Sequence, residues 1–307
     1  MRIAIIGQAA FGTAVLEAIL NGGQDEVVGV FPPPDREGGR IDPLKESALE
    51  LDVPVFQPGR YRSSEAIDQF RALSPDLGVM AFVTDIVPDE MIEAPTNGTI
   101  QYHPSLLPRH RGPSSINWPI IFGETRTGLT IFRPDRGLDT GPVLLHKDVA
   151  IGPDDTLGSL YFDHLFPMGV DAMGGAIDLV RTGEAPRIQQ DESQATYESW
   201  CKAADAVIDW SRPAGDVYNL IRGCNPQPGT HTTRNGERLG VFDSRRASGD
   251  ADAAPGTVLA VSDDGIEVAA AEGSILVQRV QPTGARKLPA AEYAAEAGLS
   301  AGEVLGA

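Results

Sequence analysis

The sequence predicts an α/β protein in two parts: a Rossmann-like domain on an open, parallel-type sheet, then a small OB-like β-barrel. Three observations carry that expectation. The chain opens strand, loop, helix, strand. Arg2–Gly7 is a short apolar run ending in glycine, Phe11–Leu20 repeats apolar residues at helical spacing, and Val27–Phe31 is a second, valine-rich run. At 307 residues the chain exceeds what one compact core usually holds. Beyond residue 206 the texture changes to short strand-like runs separated by Gly and Asp turns.

The segment Pro32–Arg40, rich in Pro and Gly, reads as a loop. Pro43–Asp52 and Ser63–Leu73 have helical periodicity, and Val53–Phe56 reads as a short strand. Leu77–Val83 and Gly98–Tyr102 read as buried strands, and Thr127–Phe132 with Val143–Ile151 as a hairpin pair. Thr156–Arg181 has the length and periodicity of a long helix, in which Pro167 starts a new segment or a kink. Residues 189–205 are polar and read as a linker between domains at 1–188 and 206–307. In the second domain Pro213–Ile221 is a helix. Strand-like runs follow at Thr230–Thr233, Leu239–Asp243, Thr257–Val261, Gly265–Ala270 and Ser274–Val280, and Ser248–Ala254 reads as a flexible loop.

Composition narrows the function classes. No apolar run approaches the roughly 20 residues that span a bilayer, and the apolar N-terminus is too short for a signal peptide. Cys201 and Cys224 make no disulfide framework, so the expected location is the cytoplasm. Two Cys and five His show no zinc-ligand spacing, and no metal is expected. The net charge of −18 argues against a DNA-binding protein, because Lys and Arg supply phosphate affinity. Residues 1–205 carry 16 basic and 30 acidic residues against 9 and 13 in residues 206–307, so the acidity sits mainly in the first part.

The loop Gly7–Gly12 follows a strand and opens a helix, as a dinucleotide fingerprint does. That fingerprint needs a glycine where Ala9 stands and an acidic residue after the second strand, where Pro32-Pro33-Pro34 stands. A tight strand-to-helix turn without NAD(P) is the expectation.

The stretch Gln101-Tyr102-His103-Pro104-Ser105-Leu106-Leu107-Pro108-Arg109-His110-Arg111-Gly112 is the densest in chemistry. A strand delivers His103 to its carboxyl end and Pro104 stops it, where open α/β sheets bind ligands. Downstream, Asp139 in Arg136-Gly137-Leu138-Asp139-Thr140-Gly141 is a carboxylate between glycines, able to orient an imidazole and stabilise its cation.

The pair His-x-Ser-Leu-Leu-Pro-x-x-Arg-Gly and Leu-Asp-Thr-Gly resembles the 10-formyltetrahydrofolate-dependent formyltransferases, a family that includes methionyl-tRNA formyltransferase and nucleotide-sugar N-formyltransferases. His103–Trp118 and Gly137–Leu145 look most like the hydrolase domain of 10-formyltetrahydrofolate dehydrogenase. Weaker similarity runs through Pro34–Arg62, Phe82–Pro95 and Thr156–Val180, and Ile221–Gly229 resembles the family's C-terminal domain, so the resemblance covers nearly the whole chain. The resemblance implies 10-formyltetrahydrofolate as co-substrate and formyl transfer to water as the first reading. Transfer to methionyl-tRNA or an amino-sugar nucleotide is the alternative, and a non-catalytic folate-binding module a third. It implies catalytic roles for His103 and Asp139. Gln101 stands where the formyltransferases usually carry Asn, and keeps the amide on a longer arm. It further implies a pterin pocket involving Met80, Ala81, Phe82, Ile86 and the loop around Asp135, with Ser105 and Leu106 beside His103. Arg109 and Arg111 are read two ways, as anion contacts or as loop-fixing hydrogen-bond donors.

Overall fold

The structure, a computed structural model, describes residues 1–248 and 253–306. The expected flexible loop Ser248–Ala254 therefore lies mostly outside the described residues. The chain divides into two compact units. One holds Met1–Ser115, Gly128–Val149 and Asp163–Glu198, the other Ile116–Thr127, Ala150–Phe162 and Ser199–Ala307.

Six strands form the sheet of the first unit: β1 (Arg2–Gly7), β2 (Glu26–Phe31), β3 (Leu77–Ala81), β4 (Thr99–His103), β5 (Arg126–Phe132) and β6 (Val143–Ala150). Their order is β2-β1-β3-β4-β5-β6. The pairs β1–β2, β1–β3 and β3–β4 are parallel, whereas β5 runs antiparallel to β4. The parallel-type expectation thus holds for four strands, and the chain then turns back along β4 instead of crossing over. The helices are α1 (Ala9–Gly22), α2 (Pro43–Glu50), α3 (Ser64–Ala72), α4 (Asp89–Ile92), α5 (Asn117–Ile121), α6 (Leu157–Ser159), α7 (Phe166–Thr182), α8 (Ala214–Gly223) and α9 (Ala290–Ala297).

Strand residues of period two feed two cores. Ile3, Ile5, Val79, Ile100 and Ile131 pack with residues of α1 and α7, while Ala4, Ile6 and Met80 pack with Phe70 of α3 and Met91 of α4. Phe11 of α1 is 1% exposed, its ring centroid 4.3 Å from Tyr102 and 5.5 Å from Phe166. Phe11→Ala removes the hub of these contacts. The expected loss is about 3–5 kcal/mol, measured by denaturant unfolding.

The glycine loop at the start of α1 has a partner of its own. Ala9, at φ 57°, donates its N–H to both carboxylate oxygens of Asp42, each at 3.1 Å. A helix N-terminus favours negative charge, and here an internal carboxylate supplies it. Proline acts as the sequence suggests in the long helical stretch: α7 begins at Phe166 with Pro167 in its first turn, after a π-helical turn over Leu160–Leu165. The expected strand Val53–Phe56 shrinks to a single bridge between Val30 and Val55.

The second unit holds two four-stranded antiparallel sheets. Its strands are β7 (Thr230–Arg234), β8 (Glu237–Val241), β9 (Ser244–Ala247), β10 (Val258–Ser262), β11 (Gly265–Ala269), β12 (Ser274–Val277), β13 (Arg279–Pro282) and β14 (Leu288–Pro289). The sheet orders are β10-β11-β12-β9 and β14-β13-β8-β7. Both contribute to one core, with Trp210, Tyr218, Leu239, Val268, Ile275 and Val280 among its members. The run Ser274–Val280, expected as one strand, splits into β12 and β13 because Gln278 and Arg279 both donate their N–H to Asp243 O and turn a corner there. Cys201 and Cys224 are free thiols with sulfurs 3.8 Å apart.

Candidate active site

Strand β4 ends at His103, and its side chain shares a face with Gln101, as residues two apart on a strand must. Tyr102 points to the opposite face, into the core with Phe11. Gln101 is half-buried and pairs in register with Met80 and Phe132. The loop leaving β4 is held by short polar contacts. Thr130 Oγ1 donates to Ser105 O at 2.6 Å and accepts from Leu107 N at 3.0 Å. Ser105 Oγ donates to Arg109 O at 2.7 Å.

Those contacts deliver His110 O to the imidazole. His103 Nε2 lies 2.8 Å from that carbonyl, which accepts only, so Nε2 carries a proton and donates. Nδ1 is thereby the ring nitrogen left to gain or lose a proton. Facing it at 3.7 Å is Asp139 Oδ2, and the two side chains are 7% and 8% exposed. A neutral Nδ1 turns a lone pair toward the carboxylate, whereas a protonated one faces it as an imidazolium–carboxylate ion pair. The separation exceeds a direct hydrogen bond and leaves both groups able to accept a third partner. Asp139 Oδ2 also accepts from Gly112 N at 2.8 Å. Structure thus brings together the two residues that the sequence nominates.

Asp139 sits at φ 57°, in the left-handed region that Asp and Asn tolerate better than other side chains. Asp135 shapes the turn before it, accepting from Gly137 N at 3.0 Å and Thr140 Oγ1 at 2.5 Å. Asp135 is exposed but spends one carboxylate oxygen inside the loop. Gly112, at φ 106°, lies so close to the next segment that a Cβ would stand 2.3 Å from Glu198 O. Gly112→Ala is expected to cost more than about 2 kcal/mol, read as a lowered midpoint of denaturant unfolding.

Of the two readings of Arg111, the loop-fixing one fits. Its side chain is fully buried, with Nη1 and Nη2 on the two oxygens of Glu192 at 2.9 and 2.6 Å. Nε and Nη2 also reach Gln190 Oε1 at 3.2 and 2.7 Å, and the guanidinium donates to Tyr197 Oη and stacks on that ring. The hydrogen bond from Arg111 holds the Glu192 carboxyl below its ordinary range. The backbone joins in, with Arg111 N on Thr196 O and Glu198 N on Arg111 O. Residues 190–198, expected to belong to a surface linker, are therefore fastened to the first unit. Their polar composition hid this, because a buried guanidinium needs polar partners and a solvated linker has the same residues. Arg109, in contrast, is exposed.

Among the expected pterin residues, Met80 and Ala81 are buried in β3, Ser105 is buried, and Leu106 is half-buried. Phe82 and Ile86 are 45% and 63% exposed, and Leu138 beside Asp139 is 59% exposed. Phe82 stands at φ 60°, which is strained for a bulky residue. A small, open cleft lies beyond the carboxyl ends of β1, β2 and β3, lined by Gly7, Gln8, Pro33, Tyr61, Phe82 and Thr84 among others. Phe82 lines it, whereas His103 and Asp139 do not. Among the described residues no cluster of His, Cys, Asp and Glu is arranged to hold a metal, and no helix is long and apolar enough to cross a membrane.

A parallel-containing sheet thus presents a His–Asp pair at a strand end, and antiparallel sheets form the second unit. The sequence profile described as "Formyl transferase" matches residues 1–166, and that described as "Formyl transferase, C-terminal domain" matches residues 201–298. The chain belongs to the formyl transferase family, whose members are enzymes that move formyl groups. It is 39% identical over 309 residues to methionyl-tRNA formyltransferase of Trichlorobacter lovleyi, covering 99% of this chain and 96% of that one. Over 249 residues it is 45% identical to mouse (Mus musculus) cytosolic 10-formyltetrahydrofolate dehydrogenase, covering 80% of this chain but only 27% of the other. In fold it is similar to HypX from Aquifex aeolicus, crystallised with tetrahydrofolic acid, at a TM-score of 0.70 and 19% identity. That likeness covers 96% of this chain and 47% of HypX, so this chain spans about half of that protein.

Proposed function

We propose that the protein transfers the formyl group of 10-formyltetrahydrofolate to an amine, with the amino group of methionine on charged tRNA as first candidate. The observation that carries the acceptor is similarity running end to end with a methionyl-tRNA formyltransferase. This ordering reverses the first expectation from sequence, which set water ahead of an amine on the strength of the His103–Trp118 and Gly137–Leu145 stretches.

The chemistry follows from the pair. The acceptor nitrogen attacks the formyl carbon, and the carbonyl electron pair moves onto oxygen. The oxyanion then collapses and expels N10 of the folate, which takes a proton while the acceptor amine loses one. His103, protonated at Nδ1, is a cation for the oxyanion. Asp139 receives the acceptor's proton or balances the imidazolium. Gln101, on the same face, offers an amide N–H to the oxyanion. Exposed Phe82, Ile86 and Leu138 supply apolar surface for a pterin, and the strained Phe82 backbone is a feature that functional loops retain.

A second reading, hydrolysis to formate and tetrahydrofolate, is favoured by the higher identity over 249 residues to the dehydrogenase. One experiment separates them. With donor labelled in the formyl carbon, label should appear on methionine when charged initiator tRNA is present, and tetrahydrofolate release should be slow without it. Fast release as formate, unaffected by tRNA, would establish the hydrolase. Tight folate binding with intact donor in both conditions would defeat both.

A further inference from the structure

Three consecutive residues divide the work of holding the candidate catalytic pair. His110 O takes His103 Nε2, Gly112 N donates to Asp139 Oδ2, and Arg111 between them is buried in a polar cage. Gln190 holds the main chain of the Asp139 loop. Its Nε2 donates to Asp139 O and to Gly141 O, each at 2.8 Å, while its Oε1 accepts from Arg111. Both amide hydrogens and the amide oxygen are thus committed. A flipped amide would turn an acceptor against two carbonyls and a donor against a guanidinium, so Arg111 dictates which way Gln190 points.

Asp139 needs such support. A non-glycine residue in the left-handed region persists when its surroundings over-determine it, and a 3.7 Å spacing from His103 is easily lost by a loop shift. We propose that Gln190, oriented by Arg111, is a positioning residue for Asp139. It acts through the main chain of residues 139–141, setting the carboxylate's distance from His103 while touching no substrate.

Gln190→Glu is the discriminating variant, because it keeps an acceptor for Arg111 and abolishes the donor to the two carbonyls. Taking formyl transfer as read above, and working well below the melting temperature, kcat should fall about 10- to 100-fold with the folate KM changed less than about threefold. In an Asp139→Asn background the same change should cost nothing further, since the effect passes through Asp139. A lower melting temperature with kcat intact would overturn the proposal, and so would a raised KM with kcat intact or an additive loss in the double variant. Should Gln190→Glu fail to fold, Gln190→Asn, with its shorter arm, must lower kcat likewise, and an unchanged kcat there overturns the proposal. A crystal structure of the Gln190 variant gives a readout independent of the reaction: Asp139 should lie displaced from its 3.7 Å spacing. An unmoved carboxylate sinks the clamp even if transfer is confirmed. A displaced one sustains it even if the wild-type protein releases no formyl group.

Discussion

Replacing His103 by glutamine is expected to lower formyl release by about 10²- to 10⁴-fold, with a folded protein and nearly unchanged folate binding. Glutamine is chosen because its amide N–H can still reach His110 O, the partner of Nε2 at 2.8 Å, so the loop keeps its anchor. What disappears is Nδ1, the one ring nitrogen free to move a proton or bear the cation opposite the oxyanion. The residue is 5% exposed, so a truncation to alanine would add a cavity and confuse loss of chemistry with loss of packing. Single-turnover kinetics beside thermal unfolding keep the two apart. Turnover within a few fold of wild type would remove His103 from the chemistry.

The second large effect is expected at Asp139. Asparagine tolerates φ near 57° and its amide oxygen can accept from Gly112 N, so Asp139→Asn subtracts a charge and little else. Without that charge the imidazole of His103 loses the carboxylate that faces it at 3.7 Å and the acceptor's proton loses its proposed receiver. The expected fall in kcat is again about 10²- to 10⁴-fold. The two losses should be far from additive, because residues that act as a unit fail as a unit. The double variant should be scarcely slower than the worse single one, and a multiplied loss would mean that the groups act on separate steps.

Which features were legible beforehand follows from how locally each is encoded. Apolar period and proline placement are local, so β1, α1, β2 and the start of α7 at Pro167 were readable. So was the delivery of His103 to a strand end by Pro104. The meeting of His103 with Asp139 was reachable only through the paired motifs, because no local rule says that the loop 133–142 between β5 and β6 brings Asp139 to the end of β4. Direction of pairing is not local either, and β5 reads the same whether parallel or antiparallel to β4. Polar stretches are ambiguous by nature. Gln190, Glu192 and Tyr197 have the composition of a solvated linker, and the buried guanidinium of Arg111 is the partner that ties all three down. The alanine-rich helix α9 was missed because it is only eight residues long and buries only Ala290 and Ala294, too few positions to stand out as a core-facing helix. The split between β12 and β13 turns on where Asp243 O sits, which the run Ser274–Val280 does not record.

The acceptor was the least legible feature, since water and an amine ask the same of the imidazole and carboxylate. The donor asks more, and it can be tested by sight. Crystals of the protein with 5-formyltetrahydrofolate, a stable analogue of the donor, should show the pterin against Phe82 and Ile86. Its formyl-bearing edge should point at His103 and Asp139, within about 3–4 Å allowing for the shifted formyl position. A folate bound elsewhere, with that pair still closed off from it, would contradict the account.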